Sequence, residues 1–496
     1  MNEPWGSTPT PESLAHRVRD RHAHGERLAG LIAVPYDGGI RLLAFMDNGG
    51  ELVVESEFIS YESAGYLAVS TYVPAAAWYE REIHDLFGVR PIGSNHVDPL
   101  VLDVGPMGAP PRPGTGVVRE RLKGRARPLP AHVSGEGVFT FSYGPVRSGV
   151  FETVEYLIET PGEDIPHLRT RVLHKHRGVE ARFEGLGPAD GVLLAERIEG
   201  VASVAHAIAF VCAVEGLDGA DVPFAAQWVR MIHAELERIA NHLESMVRHV
   251  EAAGQAVAYA RLSRHKESLQ RLRARLCGSR FGRNVVVPGG VSGPLQMSPG
   301  EIFAELDQLQ NSLDADITLL MATPSFIDRL RGTGTIRHDL ARDFGALGPV
   351  GRASGVGDDV RFVRSYGAYG EIGHPVIARH SDGDALARQW VRIEEVRSSF
   401  HLVRQAVDRL RADASPRWSC AVDPRLSGEC VGWAEAPQGE LLYVAVIEEG
   451  HLVRVKPRSA SFHNLGLFHA AFPKDILTDF AFIEASFGVS IAGVAG

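Results

Sequence analysis

The stretch GPMGAPPRPGTGVVRERLKGRARPLP, residues 105–130, limits what this chain can fold into more than any other. Proline lacks a backbone donor and breaks helices, and glycine loses much entropy on ordering, so neither a helix nor a central strand runs through it. It reads as a linker that divides the 496 residues into 1–104 and 131–496. A chain of that length is in any case too long for one compact core. The basic cluster Arg119, Arg121, Lys123, Arg125 and Arg127 is either a solvated tether or a strap across an acidic partner surface.

Before the linker, GLIAVPYD, IRLLAFMDN, ELVVESEF and YLAVSTYVP are short β-rich runs separated by turn residues. AAAWYEREIHDLFGV follows as an amphipathic helix, with Trp78, Ile83, Leu86 and Phe87 able to share a face and the acids opposite. After the linker, GVFTFSYGPV and TVEYLIET read as paired strands. Apolar residues then recur at helical spacing through 224–250, 257–277, 299–321 and 384–411, which implies a bundle. Leu442, Val444 and Val446 against Leu452, Val453 and Val455 read as a hairpin. The fold class expected is α+β: a small N-terminal α/β domain with a mixed sheet, then a large mainly helical bundle with peripheral β-hairpins.

Several functions are disfavoured. A net charge of −10 without a long basic run argues against nucleic-acid binding. No GxGxxG or GxxxxGK[ST] nucleotide fingerprint is present. Cys212, Cys277, Cys420 and Cys430 form no CxxC pair and read as reduced, structural thiols. The N-terminus shows no apolar signal region, and Val201–Val214 is too short to span a bilayer, so a cytoplasmic chain is expected.

Six stretches carry a family resemblance. WYEREIHDLFGV (78–89) resembles the signature of the 30 kDa subunit of complex I. GPVGRASGVGDDVR (348–361) resembles the 49 kDa subunit of complex I and the large subunit of membrane-bound nickel–iron hydrogenases. VLHKHRGVEARFEG (172–185), AELERIANHLESM (234–246), VVPGGV (286–291) and EAPQGE (435–440) do the same. Their order matches a fusion of the two subunits, as in the large subunit of formate hydrogenlyase and hydrogenase-4. The resemblance implies a 30 kDa-like domain over 1–104 and a 49 kDa-like domain over 131–496.

One stretch departs from the family. Where hydrogenase relatives read ERVCGICxxAHxxAF, this chain reads ERIEGVASVAHAIAF (196–210), with Glu199 and Ala202 at the thiolate positions. Where they end in DPCxxC, this chain carries Ser490 and Gly493. Nickel and iron in such a centre need soft thiolates, so this chain is expected to bind no metal or other cofactor itself. The quinone contacts of the complex I branch are also replaced: the histidine after the Gly144-Pro145 turn falls at Arg147, and the tyrosine near Gly200. Gln438 stands where relatives carry Arg or Lys.

The resemblance implies a cavity lined by Arg147, Glu152, Glu199 and His206, with Ser490 near. A buried carboxylate beside a cation suits proton relay. Each residue also has a structural reading: His206 as a core histidine, Glu199 paired with Arg197, and Arg147 paired with Glu152 or Glu155. Arg352 and Asp359 are expected in a buried network beneath the site. Glu82 and Asp85, with Glu80 and Arg81, are expected on a solvated or partner-facing helix surface. The resemblance further implies a partner small subunit with a [4Fe–4S] cluster, membrane subunits that move ions, and a place on the inner face of the cell membrane. The function expected is electron transfer from that cluster to a quinone-like or unidentified acceptor. A non-catalytic scaffold and an active nickel–iron hydrogenase are the alternatives.

Overall fold

The computed structural model describes residues 5, 12–94, 98–102, 133–147, 152–373 and 377–496. The linker 105–130 and its basic cluster lie outside the described residues. An α+β architecture is observed, with small sheets around a helical body.

The N-terminal part opens with the helix Leu14–Ala23 and a three-stranded antiparallel sheet, Arg27–Tyr36, Gly39–Asp47 and Leu52–Ser60 in that order. Among the described residues the only parallel pairing is the short Tyr66–Leu67 with Pro91–Ile92, so the expected mixed sheet is an antiparallel one with a small parallel pair beside it. YLAVSTYVP does not continue as a strand. The Glu80 carboxylate accepts the backbone N–H groups of Val69 (2.6 Å) and Ser70 (3.4 Å), and the chain there coils into a single tight turn. The helix Ala77–Phe87 then ends on Gly88, whose φ of 73° is a left-handed cap that glycine adopts without a Cβ penalty.

The acidic face of that helix is a correction. Glu82 and Asp85 are buried inside this chain rather than displayed on a solvated or partner-facing surface. Glu82 accepts both its hydrogen bonds from Lys456 at 2.6 Å, and Lys456 also reaches Glu180 at 2.7 Å. Asp85 accepts the backbone N–H groups of Leu100 (2.7 Å) and Val101 (2.9 Å). The physical reason is that buried carboxylates must be paired or hydrogen-bonded, and the C-terminal part supplies the lysine. Apolar packing joins the same two parts: Ile32, Val34, Leu43 and Phe45 meet Leu442 and Val444.

The helical body is built on Phe224–Ala252 and Ala385–Ala412, flanked by Ala256–Cys277 and Pro299–Met321. Ile232, Leu236, Ile239, Leu243 and Met246 form the buried stripe of the first. The hairpin is real and gains a third strand: Gly428–Ala436, Gly439–Glu448 and His451–Arg458 pair in order, with Val444 opposite Lys456 and Ile447 opposite Leu452. The helix Ser203–Asp218 lies directly on this sheet. Gly432 permits the approach, because a Cβ there would sit 2.3 Å from the Ala209 carbonyl oxygen. Among the described residues no helix is long and apolar enough to cross a membrane.

Candidate functional site

The site forms where the loop before the helix Ser203–Asp218 meets the C-terminal segment. Three contacts hold the junction. The Arg177 Nη2 donates to the Ile198 carbonyl (2.8 Å) on one side and the Ala492 carbonyl (2.9 Å) on the other. The Arg177 backbone N–H donates to the Gly496 carbonyl at 2.7 Å. Glu237, from the helix Phe224–Ala252, accepts the N–H groups of Val204 (2.9 Å) and Ala205 (3.0 Å) and caps the site helix. Arg177 and Glu237 both stand in quoted motifs, yet periodicity and spacing alone did not single them out.

The two ends of the degenerate thiolate pattern do meet. Glu199 and Gly493 are in contact so close that a Cβ on Gly493 would lie 1.6 Å from the Glu199 Oε1. The carboxylate therefore occupies the space that a side chain at position 493 would need. Ala202 is fully buried beside it, and Ser490 is buried with its hydroxyl donating to Glu152 at 3.1 Å.

Glu199 and His206 are both fully buried, with the Glu199 Oε1 3.4 Å from the His206 Nε2. Neither carboxylate oxygen finds a hydrogen-bond partner among the described residues. The other ring nitrogen of His206, Nδ1, shares a 2.6 Å hydrogen bond with the Tyr443 hydroxyl. Burial pushes that hydroxyl well above the usual tyrosine range, and the Glu199 charge adds to it. The Glu152 carboxylate accepts the backbone N–H of Ile491. Burial pushes the Glu152 carboxyl up; the Ile491 N–H opposes this and the Glu199 charge reinforces it.

A cavity of about 640 Å³ opens against this junction, with Arg147, Glu152, Gly200 and Ser490 in its wall. Of the residues expected to line it, Glu199 and His206 stand behind the wall rather than in it. Arg147 pairs with Glu484 at 2.7 Å, not with Glu152 or Glu155, and lies 4.9 Å from the Tyr143 ring centre. Arg197 pairs with Glu196 at 2.5 Å rather than with Glu199. Beneath lies the buried network, in which Arg352 and Asp359 are 3.7 Å apart. Gln438 is buried too, with both side-chain polar atoms unpartnered among the described residues.

The residues present do not fit a nickel–iron centre. One carboxylate, one hydroxyl, a methyl and a glycine stand at the four positions, and Glu199 fills the space between two of them. Cys212 and Cys430 lie elsewhere, and burial pushes both thiols up to about 12, where they stay protonated. Among the described residues no group of three or more His, Cys, Asp or Glu is placed to hold a metal ion.

Comparison with known proteins agrees with the order of the motifs. The family described as respiratory-chain NADH dehydrogenase, 30 Kd subunit, matches residues 12–115, and that of the 49 Kd subunit matches 253–425. The carbon monoxide-induced hydrogenase of Rhodospirillum rubrum is 30% identical over 307 residues, 62% of this chain and 84% of that protein. The chain belongs to the family of complex I 49 kDa subunits and hydrogenase large subunits. NADH-quinone oxidoreductase subunit 4 of Thermus thermophilus is 29% identical over 379 residues, 70% of this chain and 92% of that protein. Formate hydrogenlyase subunit 5 of Escherichia coli (strain K12) extends the match to 80% of this chain and 71% of its own length, at 27% identity. As a member of this family with a 30 kDa-like part fused in front, the chain is an oxidoreductase subunit of the complex I and hydrogenase-4 type, and so one part of a multi-subunit assembly.

Proposed function

We infer that this subunit reduces a quinone-like acceptor in the 640 Å³ cavity and does so without a nickel–iron centre. Electrons arrive from a [4Fe–4S] cluster in a partner small subunit, and the assembly sits on the inner face of the cell membrane through ion-translocating subunits. The observation that carries this reading is the pairing of a ligand-sized space with a carboxyl on its wall, Glu152, whose pKa burial raises. Reduction of a quinone carbonyl needs a proton at the oxygen as electrons arrive. A carboxyl with a raised pKa keeps that proton nearer neutral pH than a free glutamate does. Behind Glu152, Glu199 and His206 lie buried, and His206 is hydrogen-bonded to Tyr443 at 2.6 Å.

The scaffold reading has its own observation: the thiolate positions are replaced and the space between two of them is filled. One experiment separates the readings. Nickel and iron are measured in the complex purified from its own host, alongside reduction of decylubiquinone. Iron without nickel, with quinone reduction, supports the proposal. Stoichiometric nickel overturns it, and absence of both metals with no reduction leaves the scaffold.

A further inference from the structure

A second cavity, of about 500 Å³, opens on the seam between the N-terminal and C-terminal parts and shares no residue with the first. Trp78 and Arg81 come from one side, and Arg169, Arg171 and Phe344 from the other. Its wall holds three arginines, Arg81, Arg169 and Arg171, and a single carboxylate, Asp98. The 640 Å³ cavity carries five basic and five acidic side chains, so of the two only the seam cavity has a surplus of positive charge.

The three guanidiniums are not equally paired. Arg169 meets Glu159 and Arg171 meets Glu155, both at 3.2 Å and both from outside the wall. Arg81 makes no ion pair among the described residues. It donates to the carbonyls of Asp98 (2.8 Å) and Pro99 (3.1 Å), which carry no net charge. Burial pushes the Arg81 pKa below the usual arginine range; Asp85 and Asp98 oppose this, while Arg171 and Arg169 reinforce it. Burial likewise lowers the Arg169 pKa in spite of Glu159 and Asp98. These cations are under-compensated where they stand, and an anion in the cavity relieves them.

The surplus in the wall matches a phosphate monoester, which is close to a dianion at neutral pH and which guanidinium groups grip through paired hydrogen bonds. A carboxylate brings half that charge. The space far exceeds one phosphate group, and Trp78, Phe344 and Leu465 give it an apolar side. Trp78 is held in place by an edge-to-face contact with Phe462 at 5.9 Å, and the Arg81 guanidinium lies 5.9 Å from its ring centre. We propose that this seam cavity is a binding site for a phosphate monoester with a flat apolar body. The phosphate sits among Arg81, Arg169 and Arg171, and the body lies against Trp78 and Phe344. The site stands apart from the acceptor cavity and does not depend on the quinone reading.

The test is isothermal titration of the intact complex purified from its own host, with three probes: phenyl phosphate, phenol and inorganic phosphate. Phenyl phosphate is expected to bind at least about 10-fold more tightly than either of the other two, because only it offers both the charge and the body. Thr71 is exposed in the same wall, so Thr71→Glu keeps every arginine with its partners and adds a negative charge at the mouth. That variant is expected to weaken phenyl phosphate about 10-fold or more while phenol changes less than about 3-fold. The double variant Arg169→Gln/Glu159→Gln removes both members of one ion pair and is expected to weaken phenyl phosphate by a similar factor. If phenyl phosphate binds no more tightly than inorganic phosphate or than phenol, or does not bind at all, the proposal is overturned. It is overturned equally if Thr71→Glu leaves the affinity for phenyl phosphate unchanged, since the probe then binds elsewhere.

Discussion

Two groups of buried charge lie in this chain and are built in opposite ways. In the network beneath the site, Arg361 holds Glu235 at 2.9 Å and Asp359 at 2.6 Å. Arg352 holds Glu395 at 2.8 Å and Glu435 at 3.0 Å. Burial works against the Glu395 charge, yet Arg352 and His242 hold its carboxyl well below the usual range. At the site, Glu199 faces only a histidine at 3.4 Å and has no hydrogen bond among the described residues. A buried charge with several partners is part of the framework. One whose only near partner is a histidine beyond good hydrogen-bond range is kept for something other than folding, since an under-paired buried polar group is costly.

The largest effect should come from breaking the framework. Arg361→Met strips Glu235 and Asp359 of their shared partner and is expected to cost about 3–5 kcal/mol, the penalty for leaving buried charge unpaired. A thermal melt of the variant checks this, and a melting temperature equal to that of the unaltered chain would show that the network bears no weight. Next comes the contact inside the site. Gly493→Ala should destabilise by about 1–3 kcal/mol, as overpacking does. The same change in a Glu199→Ala background should cost far less, because the two residues compete for one space. Equal costs in both backgrounds would mean that the carboxylate is not there.

Glu199→Gln sharpens the contrast further. It removes a charge whose near partner is His206 at 3.4 Å and which makes no hydrogen bond among the described residues, so the melting temperature should not fall, while acceptor reduction falls about 10-fold or more, as expected for loss of a group in proton transfer. Unchanged turnover would take Glu199 out of the mechanism. The smallest effect concerns an intermediate case. Glu80 is buried with hydrogen bonds from Val69 and Ser70 but with no cation paired to it among the described residues, and burial pushes its carboxyl up to about 7 against those bonds. A folded pKa above the unfolded one means the native state holds the extra proton, so stability falls as pH rises from about 4.5 to 7. Glu80→Gln should therefore lie near the unaltered chain at pH 5 and gain about 2–3 kcal/mol on it by pH 8, read from paired denaturation curves. A gap that does not widen with pH would show the carboxyl titrating normally.

The long helices and the 442–455 hairpin were legible because their signal is local: apolar residues recurring at 3.6 or at 2 along one segment. The meeting of positions 199 and 493 was legible only through resemblance, since nothing in composition links residues so far apart. The partners were not legible. Glu82 looks like the outer face of an amphipathic helix until Lys456, 374 residues on, is placed against it. Arg147 had nearby acids to choose from and took Glu484 instead.

The contact between Glu199 and Gly493 also bears on where such a chain can go next. A cysteine restored at 493 would collide with the carboxylate, and a cysteine restored at 199 alone would face a glycine with no thiol to offer. The contact therefore sets an order: position 199 must shrink before any larger side chain fits at 493.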